Sequence, residues 1–457
     1  MDFVEKIKKA LGNDKVITDR DIIRTYLKDE TAELEGSAEV VVRPKTKEDI
    51  RETIIIAKDF KIPVTPRGAG TGVSGGAVPI KGGIVLSTEQ MDRIIEIDKK
   101  NRIAVVEPGV ITGRLQEEVE KLGLFYPPDP ASLDSCTIGG NVAENAGGPR
   151  AVKYGVTKNY VTGIEFVTGN GNIVFAGGKL HKNVTGYDLL GILIGSEGTL
   201  GIFTKIFLKL LPLPNYQVDI LVSFEDIEDL INAFEEIFPR FLPVNIEFAE
   251  KKSIQLAQEF LEERMIIKDA GAYLIIGFDG NDMDAIEKEY VEVGEICMKH
   301  HAIDVFVADN KKTRERLWKA RRSMHDAVKA KSPVLEREDV VVPVSELKNL
   351  IYIIRKLSDE HKMDIIAFGH AGDGNVHVNI LKGEMSQEEW RIKKEKVVQS
   401  LLENVVVLGG TISGEHGIGV VKRRYLSMAV GEDSIKLYRA IKSALDPQNI
   451  LNPGKII

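Results

Sequence analysis

Hydrophobic spacing divides the 457 residues into two textures. In the first, short apolar runs bounded by glycine or proline read as strands: VVVRP (40–44), IPVTPR (62–67), GGIVLS (82–87), RIAVVEPG (102–109), GIEFVTGNGNIV (163–174) and GIFTKIFLKLLP (201–212). Between the first two of these runs, KEDIRETIIIAKDFK (47–61) repeats its apolar residues at helical spacing. Residues 1–36 read as helical and charged, with Phe3, Val4, Ile7 and Leu11 on one stripe. LPLPNYQ (211–217) reads as a linker. Beyond it the period lengthens, and helical patterns at 226–237, 251–263, 282–300, 311–330, 346–360 and 387–404 alternate with strands AYLIIGF (272–278), AIDVFVA (302–308), DVVVPV (339–344) and DIIAFGH (364–370). The expected fold class is α+β. A mixed domain spans 1–213, an α/β domain spans 214–425, and a C-terminal helical segment spans 426–457 and is expected to pack back near the first domain.

Glycine changes this picture first. The 42 glycines exceed the usual share of about 7% and are clustered. PRGAGTGVSGGAVPIKGG (66–83) contains Gly70-x-Gly72-x-x-Gly75, the spacing of a dinucleotide loop, but Pro79 and a strand-like run follow where such a loop must enter a helix. The loop can instead curl successive backbone N–H groups around phosphate oxygens, or serve merely as a turn between strands. Two further clusters, at 127–155 and 183–204, suggest a long flat ligand threaded between loops, and a diphosphate-linked nucleotide of flavin size suits it.

Histidine changes it next. The chain has 8 histidines, and His370 and His377 flank the turn residues Ala371, Gly372, Asp373, Gly374 and Asn375. DIIAFGH and the alternating VHVNI predict a hairpin that sets the two imidazoles side by side. Two protonated rings would repel, and a divalent metal removes the conflict by binding both in the neutral form. Glu415, set among glycines in TISGEHGIG, supplies a third ligand, and a His2Glu set leaves coordination positions open for chemistry. The alternative is that the histidines only hydrogen-bond within a turn. His416 is adjacent to Glu415, and neighbouring side chains of an extended segment diverge, so it is free to act as a base.

Charge and cysteine content narrow the class. Net charge is -8 with both signs interspersed, so no basic face for nucleic acid stands out. The two cysteines, Cys136 and Cys297, are far apart, which fits a reducing, cytoplasmic setting without disulfides. The N-terminus does not read as a signal peptide, and no stretch approaches the roughly 20 apolar residues of a membrane span.

Taken together, PRGAGTGVSGGAVP (66–79), PPDPASLDSCTIGGNVAENAGG (127–148), GSEGTLGI (195–202), GHAGDGNVHVN (369–379) and SGEHGIG (413–419) resemble the FAD-linked oxidases of the vanillyl-alcohol oxidase superfamily. The branch is that of glycolate oxidase catalytic subunits, D-lactate dehydrogenases and D-2-hydroxyglutarate dehydrogenases. The resemblance runs in order from about residue 20 to 457. It implies a PCMH-type FAD-binding domain followed by a substrate, or cap, domain.

The resemblance places Pro66, Arg67, Gly68, Ala69, Gly70, Thr71 and Gly72, with Ser74, Gly75 and Gly76, around the FAD pyrophosphate. Pro130, Cys136, Thr137, Gly139, Gly140, Asn141, Ala143, Asn145, Gly147 and Gly148 fall along the flavin and the rest of its chain. Glu197, Gly201 and Ile202 fall at the adenine end, and Asn452 joins the cofactor set. Thr71 stands where some relatives carry a flavin-linking histidine, so FAD is expected to be non-covalent. The same resemblance makes His370, His377 and Glu415 ligands of a divalent ion, Fe2+ or Zn2+. Trp318 and Arg321 fit its Trp-x-x-Arg pattern, with Arg321 gripping the substrate carboxylate. Arg337 stands where the hydroxyglutarate enzymes carry lysine, which leaves substrate size open.

The implied reaction is oxidation of a D-2-hydroxy acid, D-lactate first, with His416 taking the hydroxyl proton and hydride passing to flavin N5. An alcohol titrates roughly 9 units above neutrality, about 12 kcal/mol at ~1.36 per unit. A positioned base supplies about 10²–10⁴ in rate, roughly 3–5 kcal/mol, so a cation is the larger contribution. A metal-dependent hydrolase is the competing enzyme class, and a non-enzymatic flavin- or metal-binding module is a third. With no iron–sulfur cysteine pattern, electrons are expected to leave to an external acceptor; the resemblance to dehydrogenases of anaerobic bacteria implies an electron-transfer flavoprotein, with a quinone or oxygen as alternatives.

Overall fold

The computed structural model describes residues 2–261 and 269–457. They form two compact units. The first comprises 1–147, 156–213 and 415–457, and the second comprises 148–155 and 214–414. The return to the first unit thus falls before residue 425.

In the first unit, strand Val40–Val42 runs parallel to Ile84–Ser87, which runs parallel to Val64–Arg67, and Val16–Ile17 closes the far edge antiparallel. Helix Lys47–Phe60 covers this sheet through Ile50, Ile54 and Ala57, packed on Val40, Val42, Ile84 and Leu86. Its start is set by a capping box in which Thr46 and Asp49 each satisfy the other's backbone N–H. A second, antiparallel sheet has the order 94–98, 103–106, 202–209, 161–167, 173–177. The expected helix over 1–36 is only two short helices, Phe3–Leu11 and Arg20–Arg24, because Gly12 ends the first and Val16–Ile17 is drawn into the sheet. The second glycine cluster, read as loop, contains helix Ile138–Glu144, capped by Thr137.

The second unit is built on a seven-stranded antiparallel sheet, ordered 302–308, 216–224, 272–280, 245–250, 364–370, 375–381, 335–341. One face is covered by helices Lys251–Leu261, Lys311–Arg322 and Met324–Lys331, whose Ile254, Leu317, Met324 and Val328 pack on Leu221, Ile275 and Phe368. Helices Ile227–Ile237 and Met283–Lys299 pack against the strands from the other side of the alternation, where Ile220 and Val222 are fully buried. The single helix read over 311–330 breaks at Ser323. The pattern read over 251–263 is helical to Leu261, and its last two positions lie outside the described residues. Among the described residues no helix is long and apolar enough to cross a membrane.

Candidate active site

In the first unit three glycine clusters that are far apart in sequence converge. The first loop leaves the C-terminal end of the parallel strand Val64–Arg67, where open α/β sheets bind ligands. It lies against the start of helix Ile138–Glu144, so closely that a Cβ added at Gly68 would be 2.4 Å from Thr137 Oγ1. Thr137 in turn accepts from Gly140 N at 3.2 Å, and Asn141 Nδ2 donates to Thr112 at 2.7 Å. The third cluster joins the same helix, because Glu197 N donates to Ala143 O at 2.8 Å. Asn452 ties the tail to both, its Nδ2 donating to Gly76 O at 2.9 Å and Glu197 O at 2.8 Å. Ser74 is almost wholly buried, yet its hydroxyl has no hydrogen-bond partner among the described residues. A loop of close backbone turns with an unsatisfied buried hydroxyl fits a bound phosphate-bearing cofactor. Cys136 is buried beside Thr112, and burial pushes its thiol up, away from nucleophilic form.

Two buried acids stand in the same unit. Glu197 accepts from Ile418 N and Gly419 N, each at 2.7 Å, yet burial pushes its carboxyl up to about 7. Glu144 is driven well above the ordinary carboxylate range by burial and by the charges of Glu197 and Asp29. Its Oε2 has no partner among the described residues, so Glu144 is the carboxyl that keeps its proton. A raised folded-state value means that the folded chain holds a proton the unfolded chain releases. Stability from this group is therefore present below the ordinary value of 4.5 and is lost as pH rises above it. Glu144→Gln removes the penalty. The FAD-replete variant is expected to melt with the native protein near pH 5 and above it near pH 8, as a fluorimetric melting series across that range would record. A gap that does not widen with pH counts against this assignment.

The second unit contains the predicted hairpin. Strands Asp364–His370 and Asn375–Leu381 pair in register, with Phe368 opposite His377 and His370 opposite Asn375. Because alternate residues share a face, Glu247, His370 and Asn375 form one row across the sheet, and Ala249, Phe368, His377 and Asp339 form the next. The Nε2 atoms of His370 and His377 are 3.4 Å apart. Behind His370, Nδ1 is 2.6 Å from Glu247 Oε1. That carboxylate fixes the proton on Nδ1 and leaves the lone pair on Nε2, aimed at the neighbouring ring. Behind His377, Asp339 Oδ1 is 3.8 Å from Nδ1. Asp339 also accepts from Asn375 Nδ2 at 2.7 Å and from Gly414 N at 2.9 Å. The nitrogen spacing matches the roughly 3.4 Å spanned by two metal–nitrogen bonds of about 2.1 Å at a tetrahedral angle.

Arg321 lies on the covering helix and is buried. Its Nε donates to Glu247 Oε2 at 2.8 Å, and its guanidinium stands 5.1 Å over the Phe368 ring. Burial alone would raise the Glu247 carboxyl, but the charges of His370 and Arg321 and their hydrogen bonds outweigh it and hold the group below its ordinary value. Two turns and one turn earlier, Arg314 and Trp318 both donate to Asp219 Oδ2, which fixes the helix on the sheet. His325 stands edge-on to His377, with ring centroids 4.9 Å apart. Arg337 is opposite Asn379 in the strand register.

The fold thus brings His370, His377 and Arg321 together in the second unit. Glu415 and His416 belong to the first, where Glu415 leans over Gly147 so that an added Cβ would be 2.8 Å from Oε1. Glu247, Asp339 and His325 escaped the sequence reading. Their only mark is polarity at strand or helix positions that look solvent-facing.

A glycine-lined cradle in one unit and a histidine–carboxylate–arginine cluster in the other fit a cofactor-dependent enzyme. Comparison with known proteins specifies it. Residues 38–177 match the family described as FAD binding domain, and residues 213–456 match FAD linked oxidases, C-terminal domain. The chain belongs to the FAD-linked oxidases, in the family of GlcD and D-lactate dehydrogenase. It is 38% identical over 432 residues to glycolate oxidase subunit GlcD of Bacillus subtilis, covering 94% of this chain and 91% of that one. It is 37% identical to D-lactate dehydrogenase of Anaerostipes hadrus, covering 100% and 97%. It is 32% identical to D-2-hydroxyglutarate dehydrogenase of Stutzerimonas stutzeri, covering 99% and 98%. The fold is also that of p-cresol methylhydroxylase, with a TM-score of 0.81 and 20% identity over 99% of this chain and 96% of that one. The PCMH-type expectation is borne out, and the protein binds FAD. The hydrolase reading, which had no use for a flavin, is set aside.

Proposed function

We propose that the protein is an FAD- and divalent-metal-dependent dehydrogenase that oxidises a D-2-hydroxy acid, D-lactate first, to the 2-oxo acid. Two imidazole nitrogens facing each other at 3.4 Å, one backed by a buried carboxylate, carry the reading. His370 and His377 would hold the ion, and the family resemblance makes Glu415 its third ligand. When bound, FAD supplies the hydride acceptor, and the ion, Fe2+ or Zn2+, supplies positive charge against the hydroxyl oxygen. Arg321 holds the substrate carboxylate. Phe368 stacks beneath its guanidinium and keeps water from that face. His416 accepts the hydroxyl proton on a ring nitrogen. FAD is held without a covalent bond, since Thr71 replaces the linking histidine and the Cys136 thiol is raised by burial. Electrons leave to an electron-transfer flavoprotein.

D-lactate is put first because D-lactate dehydrogenases match at 37% and 39% identity, above the 32% of D-2-hydroxyglutarate dehydrogenase; glycolate, whose oxidase subunit matches at 38%, and D-2-hydroxyglutarate are the alternatives within the family. The test is anaerobic bleaching of the flavin near 450 nm by D-lactate, L-lactate, glycolate and D-2-hydroxyglutarate, before and after chelation. Fastest bleaching by D-lactate, lost on chelation and restored by added metal, is expected. Full activity in verified metal-free protein discards the ion. His416→Asn is expected to slow flavin reduction by about 10²–10⁴ with metal and FAD retained, and near-normal reduction discards the base.

A further inference from the structure

Two of the side chains that the proposed chemistry relies on in the second unit, His370 and Arg321, are tied to one carboxylate. Glu247 is 1% exposed, and each of its oxygens has its own partner. Oε1 meets His370 Nδ1 at 2.6 Å, and Oε2 meets Arg321 Nε at 2.8 Å and Nη2 at 2.7 Å. The placement is set by the fold. Glu247 is directly opposite His370 in an antiparallel pair, and Arg321 comes down from a helix that Arg314 and Trp318 pin at Asp219.

We propose that Glu247 is a positioning residue that sets the donor nitrogen of His370 and the orientation of the Arg321 guanidinium together. The inference rests on the metal-dependent reading above. The chemistry of the carboxylate accounts for both effects. Acting as acceptor on both oxygens, it forces His370 to be protonated on Nδ1 and to present Nε2 as a ligand. It also accepts the Nε–H of Arg321 and keeps Nη2 in ion-pair contact with the same oxygen, which holds the direction of the guanidinium's remaining donors. A buried Arg–Glu pair that only filled space could be replaced without touching His370. This one cannot, because the same carboxylate orients the ring. Metal affinity and substrate affinity are therefore coupled through a residue that need touch neither metal nor substrate.

Glu247→Gln keeps the volume but has one acceptor oxygen, and its amide N–H2 must then oppose a donor, either His370 Nδ1–H or the arginine. Two measurements on the FAD-replete protein test the proposal. The first is Co2+ affinity of metal-stripped protein, followed by visible absorption. The second is KM for D-lactate at saturating metal, alongside kcat. The variant is expected to bind Co2+ about 10–100-fold more weakly and to show a raised KM even when metal is restored. Glu247→Asp keeps the charge but is one methylene shorter. It is expected to keep part of one function and to lose the other, and it stands in for the glutamine variant should that fail to fold.

Folded, FAD-replete Glu247→Gln with native Co2+ affinity overturns the proposal, and so does an unchanged KM. Native protein that binds no Co2+ and turns over metal-free overturns the underlying metal reading, and the proposal with it. Tight Co2+ binding by the native protein that the variant retains overturns the Glu247 role alone.

Discussion

His377→Ala, purified with FAD in place, should contain no tightly bound metal and should be reduced by substrate at least about 10³-fold more slowly than the native protein. The size follows from the energetics of the hydroxyl proton. Removing it at neutral pH requires about 12 kcal/mol, and a positioned base contributes roughly 3–5, so a deficit of roughly 7–9 kcal/mol remains. On the proposed metal-dependent reading a nearby divalent charge supplies that remainder, and losing even 4 kcal/mol of it is about a thousandfold. The structure makes the histidine side of the site indivisible. Nε2 of His377 is 3.4 Å from Nε2 of His370, so removing one ring leaves the other a single nitrogen donor. The alanine should fold, because His377 lies in a strand whose partners Phe368 and Asp339 are retained by backbone pairing. Elemental analysis and stopped-flow reduction at 450 nm measure the two effects. A metal-free, FAD-replete variant reduced at the native rate would remove the cation from the chemistry.

The hairpin was legible in the sequence because everything that makes it is local. Alternation over Asn375–Leu381, the Gly-Asp-Gly turn and the apolar run before it all lie within a few residues, so period and turn chemistry agree. Glu247 was not legible. Strand Asn245–Glu250 alternates polar and apolar residues like a strand with one wet face, yet its central positions are buried on both. That face is buried by helix Lys251–Leu261 together with the helices carrying Arg321 and Met324, more than sixty residues later, and no local pattern announces a buried carboxylate there. Asp339 is hidden in the same way, in a strand that pairs with the hairpin. Helix Ile138–Glu144 was missed for an energetic reason. Gly139 and Gly140 each disfavour helix by about 1 kcal/mol, and the Thr137 cap together with the loops packed on the helix reverses that preference. The glycine clusters themselves were readable as a ligand cradle because close backbone approach leaves a compositional trace, whereas a buried acid–base pairing leaves none.

Gly68→Val should abolish FAD binding. The backbone at Gly68 is not in the left-handed region, so dihedral strain is not what demands glycine there. Space is. An added Cβ would be 2.4 Å from Thr137 Oγ1, far inside contact distance, and the next atom is 3.6 Å away. Thr137 cannot retreat freely, because its hydroxyl caps the helix through Gly140 N and its backbone begins the segment that carries Asn141 and Ala143. Valine must therefore push the first loop away from that helix and open the cradle where the loops converge. An affinity loss of at least about 100-fold, roughly 2.7 kcal/mol, is expected. The protein should purify colourless, and added FAD should not raise its melting temperature, as it is expected to for the native chain. The steric cause can be separated from general damage. Gly68→Ala combined with Thr137→Ala removes the oxygen that the new Cβ meets, and should recover more FAD binding than Gly68→Ala alone, despite losing the helix cap. If the double variant binds no better than the single one, the contact between loop and helix is not what shapes the cradle.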